Sequence, residues 1–285
     1  MKNKNKSICF MLFSSFSFSS MQIIVKLLPT VPLMEKVFFR NIISLIFTFI
    51  VIRKQNLSFL GNKNNKKYLF YRSLFGYLGI VLFFYATSKM MASDAAMLNK
   101  LSPVFVTIIA YFFLKEKINK IQISALSVSL IGSLFIIRPK LDLSVLPASI
   151  GVLSAIVSAA AYIFITAIGK KESVYTIVFF FSLFSVIATI PFLLFSFKIP
   201  NFKELILLLL LGILACAGQI ALTFAYNSCN ASKISIYDYS NIIFSSVFGF
   251  LFLKEIPTLY SIFGGILIIT ASLIDFIFNK TCRHI

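Results

Sequence analysis

A chain of 285 residues that is 59% hydrophobic and only 13% charged, with a mean hydropathy of +0.95, has the composition of an integral membrane protein, and soluble globular folds are excluded. Its formal net charge of +18 would suggest nucleic acid as the partner of a soluble chain, but here Lys and Arg fall mostly in short segments between apolar runs, the pattern of a positive-inside topology. Cys9, Cys216, Cys229 and Cys282 lack disulfide or zinc spacing, the single histidine, His284, is next to last in the chain, and there is no GxxxxGK[ST] loop or HExxH helix, so no cofactor, metal or catalytic centre is expected.

The chain opens on Lys2, Lys4 and Lys6, followed by a serine-rich apolar run over 7–28. This has the outline of a secretory signal, but nothing after it resembles an exported soluble domain. It is read as the first span, with Ser14, Ser15, Ser17, Ser19 and Ser20 facing other helices or a cavity. Hydropathy predicts a second span over 33–52, a basic loop over 53–67 and a third span over 68–88. A fourth follows over 93–113 and a fifth over 121–137, stopped by Arg138-Pro139. Spans six to ten are placed at 147–169, 175–197, 205–227, 234–253 and 258–278. Alternation from a cytoplasmic N-terminus puts Arg53, Lys54, Lys63, Lys66, Lys67, Lys115, Lys117, Lys120, Lys170 and Lys171 on the inner side, with Arg72 counted among them, and predicts that both termini are cytoplasmic.

The fourth span is written twice. Ala92-Ser93 returns as Ala231-Ser232, Phe105 as Phe244, and Phe113-Leu114-Lys115-Glu116 as Phe252-Leu253-Lys254-Glu255. Both copies close the fourth span of their own half, which divides the chain into 1–140 and 141–285. Five spans per half is an odd number, so the halves insert with opposite orientation, and inverted repeats of this kind build secondary transporters with a site near the midplane.

On the doubled five-span layout, the small-residue starts of spans four and nine, Leu101-Ser102-Pro103-Val104-Phe105, the Leu-Lys-Glu endings at 114–116 and 253–255, and Pro32 with Arg40, the chain resembles the EamA family of the drug/metabolite transporter superfamily. The resemblance implies an all-α integral membrane protein of ten transmembrane helices in two inverted five-helix repeats. It also implies a non-enzymatic secondary transporter that moves small metabolites across the cytoplasmic membrane by alternating access. Span nine departs from the first copy in having Ile242 where Pro103 stands, so the two halves need not bend alike.

A charge at the centre of a membrane helix costs at least about 2.5–3.5 kcal/mol, and Lys100 in span four and Asp238 in span nine are such charges. Ser93, Met97, Lys100, Pro103, Thr107 and Tyr111 recur at helical spacing, with a proline that frees a carbonyl; Ser235, Asp238, Asn241 and Ser245 form the matching stripe, flanked by Tyr237 and Tyr239. The repeat sets Asp238 opposite Asn99, next to Lys100, and so brings the two charges together where the halves meet. The pair either clamps the halves or binds substrate. The candidate substrate-binding set is Lys100, Asp238, Asn99, Asn241, Tyr237, Tyr239, Ser93, Thr107, Ser245 and Gln219. Tyr77, Tyr85, Tyr162 and Tyr226 are further wall positions, Arg40 and Asn41 either line the cavity or, as the favoured reading, Arg40 pairs locally with Glu35, and Glu116 and Glu255 are expected to cap their spans beside Lys115 and Lys254.

One cation facing one anion suits a substrate that bears both, which points to export of an amino acid or a derivative. Import of a nucleotide-like or sulfonium compound is the alternative within the class, and a non-transporting assembly protein the alternative outside it. The expected partners are a small-molecule substrate, the lipid bilayer and a coupling proton, without nucleic acid, in a monomer or weak homodimer.

Overall fold

A computed structural model describes residues 2–115, 120–137 and 145–278. Among them every regular element is helical, as such hydrophobic segments require: in lipid, backbone N–H and C=O groups have no water to bond and a helix satisfies them within one segment. The α-helices are α1 (Lys2–Leu27), α2 (Leu33–Lys54), α3 (Lys66–Lys89), α4 (Ala92–Asn99), α5 (Ser102–Phe113), α6 (Lys120–Ile137), α7 (Val145–Ile168), α8 (Val174–Ser196), α9 (Phe202–Ser228), α10 (Ala231–Ile234), α11 (Ser240–Leu253) and α12 (Leu259–Phe278). Six described helical stretches are long and apolar enough to cross a membrane: Lys6–Leu27, Lys63–Lys89, Asp94–Phe113, Val145–Lys171, Val174–Ser196 and Phe202–Ser228. Their outer faces carry exposed Phe, Leu and Ile, among them Phe112, Leu194, Phe195 and Phe202, as contact with acyl chains demands.

Two predicted spans are not single helices. The segment 93–113 is broken at Lys100-Leu101, between α4 and α5, and 234–253 runs through a 3₁₀ stretch at Ser235–Tyr239 before α11 begins. The break relocates Pro103 from a helix interior to the first turn of α5, where its missing N–H is one that has no intrahelical partner anyway. The mid-helix proline expected to free a carbonyl is therefore a helix start. It also dissolves the single polar face read across the segment: Tyr111, at its far end, is exposed.

The helices pack half against half. Helix α1 lies along α9 and α11, α3 along α7, α2 along α8 and α9, and α6 along α12. Small residues permit the closest approach: a Cβ at Gly212 of α9 would overlap the Ile43 side chain of α2 and lie 2.8 Å from the Phe39 carbonyl oxygen. The serines of α1 behave largely as expected. Ser14 donates to the Gly218 carbonyl at 2.9 Å and Ser19 to that of Asn241 at 3.1 Å, whereas half-buried Ser20 bonds only back to Phe16 of its own helix.

Polar contacts between turns sort into two ends. At one, Lys26 donates to the Met90 carbonyl and pairs with Glu255, Glu255 accepts from the Ala92 N–H at 2.8 Å, Thr30 bonds Glu204, and Glu35 accepts from the Lys198 N–H at 3.2 Å. At the other, Glu172 accepts from the Asn62 N–H at 2.8 Å and Asn65 at 2.7 Å, Thr176 donates to Ser58, and Asn227 to Gly169. Glu255 therefore does not cap its span beside Lys254 but ties three turns together, and Glu116 lies outside the described residues.

Candidate functional site

The two helix breaks meet. At the α4–α5 break Lys100 reaches across to the 3₁₀ stretch and places Nζ 2.7 Å from Asp238 Oδ2, with the two side chains 6% and 1% exposed. The other carboxylate oxygen accepts from the Ser15 hydroxyl of α1 at 3.2 Å. A charge pair this deep is tolerable only because each partner neutralises the other and further polar groups bond them.

A cavity of about 70 Å³, room for a few waters, opens beside the pair. Its walls carry Lys100 and Asn99 from the α4 end, Gln22 from α1, Arg40 from α2, Arg72 from α3, Gln219 from α9 and Asn241 from α11, with Phe18, Phe84, Tyr162 and Phe181 as apolar surface. Several of these are positioned by their own bonds. Asn99 donates to Ser154 at 2.9 Å, Asn241 to the Ser15 carbonyl at 3.0 Å and to Ser19 Oγ at 2.6 Å, and Gln22 to the Ala92 carbonyl at 2.6 Å. Tyr162 stacks on Tyr226, ring centroids 4.8 Å apart.

Of the residues singled out in the sequence, Lys100, Asn99, Asn241, Gln219, Tyr162 and Arg40 line this cavity and Asp238 stands behind Lys100. The others are elsewhere. Thr107 donates to the Pro103 carbonyl at 3.0 Å and Ser245 to that of Ile242, both within their own helices. Tyr237 packs against the apolar cluster around Met11 and Val106, and Tyr239 lies among Met97, Leu98 and Ile242. The Ser93 side chain lies outside the described ones. Tyr77 bonds the Ala188 carbonyl and is packing rather than wall.

Two arginines correct the sequence reading. Arg40 does not pair with Glu35; it points inward, 5% exposed, with Nη2 3.5 Å from Gln219 Oε1 and Nη1 3.5 Å from Asn41 Oδ1. Arg72, counted with the inner-side basic residues, is 2% exposed inside α3, its guanidinium carbon 4.4 Å from the centre of the Phe181 ring. The signal for Arg72 was present, since it falls within the apolar run 68–88, about 9 Å along the helix from Lys66.

The sequence pattern of the EamA-like transporter family matches residues 5–138 and 146–276. The pseudopaline exporter CntI of Pseudomonas aeruginosa is 32% identical over 261 residues, covering 90% of this chain and 91% of its own length. Human solute carrier family 35 member G1 is 25% identical over 279 residues, 92% of this chain and 76% of that one, and an uncharacterized transporter of Helicobacter pylori is 27% identical over 255 residues, 85% and 84%. A solved crystal structure superposes with a TM-score of 0.71 over 97% of each chain at 12% identity, a likeness of fold. With both parts of the chain matched and a relative this similar over nine-tenths of it, the protein belongs to the EamA-like transporter family of the drug/metabolite transporter superfamily and is a multi-pass membrane transporter.

Proposed function

We propose that this transporter exports an amino acid or an amino-acid derivative across the cytoplasmic membrane by alternating access, through ten spans arranged as two inverted five-helix repeats with both termini in the cytoplasm. One observation carries the substrate reading: a buried Lys100–Asp238 pair, formed where two helices break, beside a polar cavity. A zwitterion's carboxylate takes the place of Asp238 for Lys100 and its ammonium that of Lys100 for Asp238, so neither charge is stranded when the pair opens. Broken helices are the usual means by which transporters offer backbone groups to a substrate at midplane. Reading α4 with α5 as one span, and α10 with α11 as another, gives ten, and the sorting of turn contacts into two ends supports the alternation.

Export is supported by the relative named a pseudopaline exporter. The test is counterflow in vesicles of purified protein preloaded with unlabelled amino acids. Accumulation of a labelled amino acid against its gradient is expected. Vesicles that move only nucleotide-like or sulfonium compounds would leave the importer alternative standing, and vesicles that move none of these would favour an assembly role.

A further inference from the structure

Arg40 and Arg72 are an excess of charge that the Lys100–Asp238 pair does not balance. Both guanidiniums line the cavity, both neighbour the Phe181 ring, at 6.0 and 4.4 Å, and neither joins an ion pair among the described residues. Among the described residues Arg72 Nε and Nη1 and Arg40 Nε have no hydrogen-bond partner; the polar contacts of Arg40 are two amide oxygens at 3.5 Å, and its guanidinium also lies 5.8 Å from the centre of the Phe18 ring. Guanidinium does not lose its proton in proteins, so both are buried cations without a counter-anion among the described residues. The fold makes room for the Arg72 guanidinium: its Nη1 occupies the space that a Cβ at residue 76 would fill, and residue 76 is a glycine.

Further cations lie toward one end of the bundle. A second cavity of about 330 Å³ lies between the α1–α2 turn and the end of α3; among the described residues its walls include Lys36 and Lys89, together with Lys26, whose charge Glu255 already balances. Lys36 donates to the Val25 carbonyl, so its ammonium faces an oxygen without a full charge.

We infer that Arg40 and Arg72 are a binding site for carboxylates, and that the transported species is a polycarboxylate amino-acid derivative with about two more carboxylates than ammonium groups. The inference deepens the reading of the same cavity and rests on it. A carboxylate matches the planar fork of guanidinium with two parallel N–H···O bonds, and each such bond satisfies a donor that is now bare. Two carboxylates on the arginines and one zwitterionic centre at Lys100–Asp238 leave the loaded cavity neutral.

The probes are alanine, glutamate and γ-carboxyglutamate, which add one carboxylate at a time to the same amino-acid core, with succinate and inorganic phosphate as comparisons. Binding to purified protein is read from the ligand-induced rise in melting temperature and confirmed by counterflow. Wild-type protein should bind γ-carboxyglutamate about tenfold or more tighter than glutamate, and glutamate tighter than alanine by a similar factor, the scale of a charge-assisted hydrogen bond. Arg72→Gln and Arg40→Gln should each remove one step of that series, and Arg72→Lys should retain part of it. Because the charges are unpaired, the glutamine variants should melt, without ligand, no lower than wild type.

Equal affinity for alanine and γ-carboxyglutamate would overturn the inference and leave amino-acid transport untouched. A glutamine variant that melts lower while keeping the full series would make the arginines structural and would also overturn it. Phosphate binding more tightly than any carboxylate would assign the site to another oxyanion. If succinate binds as well as glutamate, and Asp238→Asn changes neither, the arginine site stands and the amino-acid reading falls; if no probe binds, both fall.

Discussion

Lys100 and Asp238 hold each other at 2.7 Å with almost no contact with solvent, so the cost of losing one partner is the cost of an unpaired buried charge, about 3–5 kcal/mol. Lys100→Met and Asp238→Asn are therefore expected to lower the melting temperature of purified protein, and the double variant to recover part of the loss, because it strands nothing. Ser15→Ala removes a single bond to the carboxylate and should cost about 1–2 kcal/mol, read from the same melting curves. This pair was legible because each charge interrupts an apolar run and the repeat sets one beside the other. The arginines were not: Arg72 sits close enough to a basic loop to pass for part of it, and Arg40 has Glu35 five residues away as an apparent partner. Only tertiary packing decides that Glu35 bonds the Lys198 backbone and that Arg40 turns to Gln219. Tyr237, Tyr239, Thr107 and Ser245 lie off the cavity wall for a different reason. Helical spacing assumes one continuous helix, which the breaks at Lys100 and at Ser235–Tyr239 interrupt, and Thr107 and Ser245 bond their own helices.

At the scale of the element, the repeated Phe-Leu-Lys-Glu has a conformational meaning that its letters conceal. Lys115 and Lys254 both adopt left-handed backbone, φ 55° and 54°, and Lys254 is the C-cap of α11, with the Glu255 N–H bonding back to Gly249. A non-glycine residue there carries a cost of about 1–2 kcal/mol, so Lys254→Gly should raise the melting temperature and Lys254→Val lower it. The α2–α9 contact gives the opposite case. Gly212→Ala has no room against Ile43 and the Phe39 carbonyl, and a loss of about 1–3 kcal/mol is expected, measured as reduced thermal stability at unchanged expression. Helix existence was readable from hydropathy nearly throughout. The two breaks were not, since neither the Lys100-Leu101 junction nor Ser235–Tyr239 contains a glycine or proline, and Pro103, two residues past the first break, reads equally well as a kink.

For the whole molecule, the two sets of turn contacts lie at opposite ends of the bundle, where alternating access as proposed would need opposed latches. Glu255 closes one end by holding Lys26 and the Ala92 N–H, and Glu172 closes the other by holding Asn62 and Asn65. If access alternates, Glu255→Gln should increase labelling of a cysteine at Ser158, on the cavity wall, by an impermeant thiol reagent from one side of the membrane, and Glu172→Gln from the other, in a chain whose native cysteines are replaced. Which side chains meet at each end was not legible in the sequence, because it depends on loops whose partners are far away in the chain. Reporter fusions after Gly61 and Lys170 should read cytoplasmic and one after Lys198 external. The most direct test of the central claim is amino-acid flux per folded molecule in vesicles of purified wild type, Lys100→Met, Asp238→Asn and the loop control Lys54→Met. The expected result is that both site variants elute as monodisperse protein and carry no flux while Lys54→Met transports as wild type does; normal flux in both site variants would contradict it and make the pair a clamp between the halves.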